Sequence, residues 1–388
     1  MNEEKYTIKK RQACVFGVLH VQYGTNIFYE LYTMNIKEEL ETFKNDVDCE
    51  IEAYLDHVIK ESKKIDPFFV DMMKYFKKTI LAGGKRVRPM MMCWGYKAAG
   101  GKNYEKILKT SVSIELIHAF LLMHDDIIDR DDMRRGKKTI HAKYRDYNKR
   151  FLLNKDSEHF GQSISIVLGD FIYSLGNQVL FESKFETEYI IQALNKLQSI
   201  VGRTCVGEIQ DVYMEYKKSV TDEEILNMYE NKTAKYTFEG PLHLGAVLAG
   251  ADDAFCDKLS TYAIPLGIAF QIRDDILGVF GDEKKTGKSA HSDIMEGKKT
   301  FMVNRTYENA TTDQKSALND LLGNKDIDAK GIKKFQEIVV DTGARDEVEN
   351  YMQKLLLQSQ KSLSEITLTK EINQFFFGLT THLNNREN

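Results

Sequence analysis

The stretch Ile114-Glu115-Leu116-Ile117-His118-Ala119-Phe120-Leu121-Leu122-Met123-His124-Asp125-Asp126-Ile127-Ile128-Asp129 runs an apolar segment straight into a dense carboxylate cluster, prolonged by Asp131 and Asp132. From 108 to 124 apolar residues fall on most faces of a 3.6-residue helical wheel, the pattern of a helix wrapped by others. Asp125 and Asp129 are four apart, so on a helix their Cβ atoms lie about 5 to 6 Å apart on one face, close enough to share a hard cation. An acidic run in isolation is usually a solvated helix end. Here the apolar stretch immediately before it makes the cluster the tip of a central helix.

Outward from that helix, the same recurrence of apolar positions returns over roughly 36 to 60, 67 to 82, 88 to 99, 104 to 130, 160 to 182, 186 to 216, 222 to 250 and 254 to 280, with shorter helices to 383. Strand-like alternation is scarce. The chain therefore reads as all-α, about ten or more helices and no sheet, in a single large helical bundle around a central cavity. Only 4 prolines stand in 388 residues, against a usual share of about 5%. That scarcity suits long uninterrupted helices and excludes collagen-like, sandwich and barrel classes. No Pro/Gly/Ser-rich linker or repeat follows Met34, so 34–388 reads as one domain. Residues 1–33 show no helical stripe and carry only the first half of a signal-peptide pattern, basic residues before a short apolar patch. They are read as an N-terminal extension outside the fold.

The 54 Lys+Arg against 58 Asp+Glu leave a net charge of −4, without the overall basic surface that holds a nucleic-acid backbone. No apolar run approaches the roughly 18 residues of a membrane span. The five cysteines (Cys14, Cys49, Cys93, Cys205, Cys256) are odd in number and scattered, which fits the reducing cytoplasm better than a disulfide framework.

A second carboxylate pair follows 149 residues on (274 − 125), where Phe270-Gln271-Ile272-Arg273-Asp274-Asp275-Ile276-Leu277-Gly278 ends another apolar helix. Two such tips can face each other across a cavity, where carboxylates would repel without metal ions between them. Mg²⁺ takes oxygen ligands, typically one or two carboxylates with phosphate oxygens. Cations lie around the two tips in Gly83-Gly84-Lys85-Arg86-Val87-Arg88-Pro89, Arg134-Arg135-Gly136, Asn231-Lys232-Thr233, Gly287-Lys288 and Gly297-Lys298-Lys299-Thr300. Cations beside carboxylate-held metal suit diphosphates. The segment Gly281 to Ser289 is not a P-loop, because five residues rather than four separate its glycines and no strand precedes it.

Taken together, these motifs resemble the trans (head-to-tail) isoprenyl diphosphate synthases, the polyprenyl synthase family with the isoprenoid synthase fold. The resemblance covers essentially Ile36 to the C-terminus and rests on seven marks in order: Gly83 to Pro89, Glu115-x-x-His118, Asp125 to Asp129 with Arg134 to Gly136, Gly169-Asp170, Lys232-Thr233, and Gln271-x-x-Asp274-Asp275. It implies that Asp125, Asp129 and Asp274 bind Mg²⁺, with Asp126 and Asp275 supporting them. It further implies that Arg134, Gln271, Lys288 and Lys298 hold the allylic diphosphate, that Lys85, Arg88, His118 and Arg135 hold isopentenyl diphosphate, and that Lys232 and Thr233 line the reacting centre. The second motif departs from the family pattern at Gly278, where many relatives carry a third aspartate, and the usual Gly-Gln pair appears as Gly207-Glu208. Relatives are usually homodimers packed through helices near the first motif.

Product length in this family is set by side chains upstream of the first aspartate. Phe120, five residues before Asp125, lies roughly 7 to 8 Å deeper along a helix axis, and the neighbouring Leu121 is not aromatic. By resemblance, this single-aromatic pattern implies geranylgeranyl diphosphate as main product. Other readings stay open: Phe120 as simple core packing with a longer polyprenyl product, a farnesyl-making enzyme, a terpene cyclase-like enzyme, or a non-catalytic partner subunit. Intact Lys85, Arg88, His118 and Arg135 speak against a cyclase, and intact aspartates against a silent subunit.

Overall fold

The structure is a computed structural model that describes residues 35–153, 155–281 and 292–384. The N-terminal extension, Cys14 and Lys288 therefore lie outside the described residues. Helices follow one another as α1 (Ile36–Ser62), α2 (Pro67–Ile80), α3 (Val87–Ala98), α4 (Tyr104–Ile128), α5 (Ile140–Tyr147), α6 (Ser157–Phe181), α7 (Thr187–Tyr216), α8 (Asp222–Tyr229), α9 (Gly240–Leu248) and α10 (Asp253–Phe280). After these come α11 (Ser292–Glu296), α12 (Phe301–Asn309), α13 (Thr312–Leu321), α14 (Ala329–Asp341), α15 (Ala344–Ser362) and α16 (Lys370–Asn384).

Their starts are written locally. Asn35, Asp66, Asn103, Asp156, Asp252 and Asp328 each accept a backbone N–H of the first turn, which satisfies a donor the helix cannot pair itself. Thr221 and Thr311 form full capping boxes with Glu224 and Gln314. Pro67 opens α2, and Pro265 sits inside α10.

The long α4 is the axis of the core: an unbroken run from Thr110 to Ile117 is buried. It packs along α6, where Ser113 Oγ donates to Gly176 O at 2.7 Å and Ser165 Oγ to Met123 O at 3.3 Å. A Cβ on Gly176 would come within 2.8 Å of Ile117, so small residues set the close approach. Trp94 of α3 stacks on Phe375 of α16 at 3.8 Å, tying the C-terminal helix to the same core.

Three features depart from the reading above. The first is a two-stranded hairpin, β1 (Met133–Arg134) with β2 (Lys137–Lys138). Its turn, Arg135-Gly136, has φ of 52° and 69°, the two positive values of a type I′ hairpin. The second concerns 222 to 250, which is not one α-helix: α8 and α9 are joined by a ten-residue π-helical segment, Glu230–Glu239. The third is apolarity, because α4 and α6 are long and apolar enough to cross a membrane by length and composition. In α4 61% of the apolar window is buried inside the chain, in α6 39%. Scattered serines, with glycines in α6, break the apolar runs without lowering the average.

Candidate active site

The tip of α4 presents Asp125, Asp126 and Asp129, and cations already surround them. Arg134 donates through Nε to Asp126 and through Nη2 to Asp125 and Asp131, both at 3.4 Å. The type I′ turn gives Arg134 and Arg135 separate neighbourhoods: Arg134 meets the aspartates, whereas Arg135 donates to Gly83 O. Arg135 also lies against Gly84, where a Cβ would be 3.0 Å from its Nη1. Burial pushes the Asp126 carboxyl up to about 7, against the opposing pull of Arg134. Asp129 is raised by burial and by the Asp125 charge beside it.

Lys232 enters from the π segment. Its Nζ lies 2.6 Å from Asp211, 2.9 Å from Glu208 and 3.9 Å from Asp125. Burial lowers its pKa, and the three carboxylates more than reverse that, so it stays charged. The segment is pressed close on both sides. A Cβ on Gly207 of α7 would be 2.4 Å from Lys232 N, and one on Gly267 of α10 would be 2.4 Å from Ala234 Cα. Gly207 of the Gly207-Glu208 pair thus makes room for the Lys232 backbone, and Glu208 meets its ammonium. Asp211, three residues on from Glu208, shares that helix face. That three-residue spacing is the signal by which the sequence could have shown the pair.

From α10, Gln271 Oε1 accepts from Thr233 Oγ1 at 2.7 Å while its Nε2 donates to Asp275 at 2.9 Å. Buried Asp275 also accepts from Tyr229 OH, and Tyr229 in turn accepts from Phe301 N at 2.9 Å. Asp275 is therefore the buried post joining α8, α10 and α12. Asp274 stands half-buried beside it. Lys298, from the loop after α11, reaches Asp129 at 3.5 Å and Glu296 at 3.2 Å, and so links the α4 tip to the α11 side of the cleft. Its neighbour Lys299 bonds the carbonyls of Glu215 and Lys217 instead.

A small cavity of about 60 Å³ opens beside this cluster, lined among others by Glu115, His118, Asp126, Arg134 and Arg135. Next to His118, outside the cavity lining, Arg88 lies 4.3 Å over the Tyr236 ring and donates to Thr237 at 2.8 Å, and the Tyr236 hydroxyl is 3.1 Å from His118 Nδ1. Burial, reinforced by Arg88, Arg135, Arg134 and Arg86, holds His118 well below its ordinary pKa, so it is neutral. Arg88 Nε is buried with no protein partner, a donor available to an anion. Lys85 is exposed on the loop between α2 and α3.

Arg86, which the sequence reading passed over, anchors that loop from within. Wholly buried, it donates to Glu115 at 2.5 Å and to both Asp48 and Ile80 O at 2.7 Å. Tyr229 and Tyr236 were likewise unforeseen, since their hydroxyls count only once the π segment has placed them. His124 turns away from the aspartates toward Ile166 O and Asp170 on α6. Phe120 lies edge-on to His124 at 4.8 Å and tilted against Tyr173 at 5.1 Å. Leu121 is partly buried against the core.

Among the described residues no three carboxylate, imidazole or thiol groups converge as a ready-made metal cage. The donor set nevertheless fits Mg²⁺: hard carboxylate oxygens at two helix tips with cations beside them, as befits an ion that shares its shell with phosphate oxygens.

A helical bundle with this site is the architecture of a prenyltransferase. The chain belongs to the polyprenyl synthetase family, whose model matches residues 70–339. It is 35% identical to the geranylgeranyl diphosphate synthase of Saccharolobus solfataricus over 260 residues, 66% of this chain and 73% of that relative. It is 31% identical to the geranylfarnesyl diphosphate synthase of Aeropyrum pernix over 316 residues, 80% of this chain and 92% of that one. The solved geranylgeranyl pyrophosphate synthase of Corynebacterium glutamicum, complexed with isoprenyl diphosphate and magnesium, superposes with a TM-score of 0.84 at 32% identity, covering 89% of this chain and 99% of that one.

Proposed function

We propose that the protein condenses isopentenyl diphosphate with the allylic dimethylallyl, geranyl and farnesyl diphosphates and makes mainly geranylgeranyl diphosphate. The observation that carries this is the gathering of two groups of cations beside one carboxylate cluster. Arg134, Lys232 and Lys298 stand among the Asp125 to Asp129 carboxylates, while Arg88, His118 and Arg135 gather beside them. Asp125, Asp129 and Asp274 would hold Mg²⁺, which supplies charge stabilisation for a departing diphosphate.

Arg134, Gln271 and Lys298, with Lys288, bind the allylic diphosphate, and Lys85, Arg88, His118 and Arg135 bind the isopentenyl one. Paired donation suits the guanidinium groups to phosphate, and neutral His118 contributes a hydrogen bond without adding to the positive charge. The allylic C–O bond breaks, the isopentenyl double bond attacks the resulting cation, and the proton it loses goes to the departing diphosphate. Lys232 and Thr233 line that centre. The apolar stripe of α4 walls the cation off from water, and Phe120 closes the channel five residues below Asp125.

The experiment is incubation with Mg²⁺, labelled isopentenyl diphosphate and each primer in turn, with products resolved by chain length. The expected end point is the C20 diphosphate, lengthened by Phe120→Ala, and Asp125→Ala should lower the rate about 10²- to 10³-fold, the scale of loss when a group stabilising the transition state is removed. A C25 end point in the parent would favour the geranylfarnesyl reading, and no condensation with any primer would sink the synthase reading.

The outer surface of α6 carries Val167 and Phe181 at 67% and 69% exposure, and α7 adds Ile209 at 68%. We infer that a second copy of this chain covers them, in the homodimer that the family resemblance implies. Sedimentation should give a dimer that Val167→Asp shifts toward monomer; a monomeric parent would refute the assignment. The cysteines Cys49, Cys93, Cys205 and Cys256 are free thiols, in keeping with a place in the cytoplasm.

A further inference from the structure

Gly278 follows Asp274 by four residues on α10, so the two positions share a face. The space above Gly278 is filled from elsewhere: a Cβ there would lie 2.3 Å from Asp293 Oδ2 and 3.0 Å from its Cγ. Asp293 belongs to the short α11, and its backbone carbonyl accepts the Lys298 N–H at 3.0 Å. One residue thus seats a carboxylate on the Asp274 face of α10 while its main chain fixes the lysine that reaches Asp129. Its charge acts on Asp275, Glu296 and Lys298 alike.

We infer that Asp293 is a positioning residue of the diphosphate site, supplying from α11 the carboxylate that α10 lacks at Gly278 and placing Lys298 opposite Asp129. A glycine at 278 is then no vacancy, since the anion on that face arrives through space from fifteen residues on (293 − 278). Groups that orient metal-binding carboxylates without being required for folding typically change metal affinity by about 10- to 100-fold when removed. The inference rests on the proposed Mg²⁺–diphosphate chemistry and assigns one more side chain to it.

The test is calorimetric titration of the full chain with inorganic diphosphate, with and without Mg²⁺, alongside denaturant unfolding of each variant. Asp293→Asn, which keeps the shape and removes the charge, should weaken Mg²⁺-supported binding about tenfold or more and leave both metal-free binding and the unfolding midpoint nearly unchanged. Asp293→Ala should do the same, and adding Gly278→Asp to it should recover most of the loss, because the carboxylate returns to the same face from α10 itself. Equal Mg²⁺-supported binding in Asp293→Asn and parent overturns the inference. So does an equal loss with and without metal, or a double variant that recovers nothing. If the parent shows no Mg²⁺-dependent binding at all, the proposed function itself has failed, which is a separate result.

Discussion

Arg86 shows how much one side chain can carry without touching a reacting atom. It takes a left-handed conformation, φ 50°, tolerable here because three acceptors, two of them buried, hold its guanidinium. Arg86→Leu would leave Glu115, 3% exposed, as an uncompensated buried charge. The expected cost is about 3 to 5 kcal/mol, read as a lower denaturant midpoint, and isopentenyl diphosphate should bind more weakly because the loop bearing Lys85 and Arg88 loses its anchor. His118 gives a prediction in pH. Burial holds its folded pKa well below 6.5, so below that pH the unfolded chain takes up a proton the folded one refuses, and stability falls with falling pH. Asp126, raised to about 7 by burial, runs the other way and stabilises the fold as pH falls from about 7 toward 4. His118→Gln should therefore flatten the loss of stability between pH 6.5 and 5, and an unchanged profile would mean the ring is protonated in place. The resemblance singled out Arg88, but the anchoring role of Arg86 was not readable from Lys85-Arg86-Val87-Arg88, where the two arginines look alike. The path of the loop decides that one points into the core and the other over Tyr236.

At the scale of elements, the two aspartate-tipped helices were legible because both the 3.6-residue stripe and the four-residue aspartate spacing are local properties. The π segment was not legible. Its residues keep an apolar recurrence that an α-helix would also show, and the extra backbone per turn reflects the fit between α7 and α10 rather than any residue preference. Its position under Lys232 and Thr233 agrees with the tendency of π-helical turns to fall at functional sites. Gly267→Ala tests the dependence directly. Its Cβ would sit 2.4 Å from Ala234 Cα, forcing the segment off α10. Overpacking of this kind costs about 1 to 3 kcal/mol, and a shift of about 1 Å in the reacting groups can cost up to about 10²-fold in rate. The expected result is a loss in kcat larger than the change in KM for the allylic substrate. The hairpin at 133–138 escaped the sequence reading for a similar reason, since only one of its two positive-φ positions is a glycine.

Over the whole molecule, what could be seen in advance was the class of fold and the set of charged groups; what could not was which charge answers which. In the structure the carboxylates of the α4 tip already have partners in Arg134, Lys232 and Lys298. These are the same cations proposed above to take the diphosphate. Each arriving diphosphate exchanges an internal partner for an external one, and each departing diphosphate lets the protein pair with itself again. An enzyme that must release diphosphate after every five-carbon addition, and finally let go of a product bearing the same head group, gains from carboxylates that can take those cations back. Its grip on phosphate is a difference between two sets of ion pairs, strong enough to align the reactants and shallow enough to permit the next turn of the cycle.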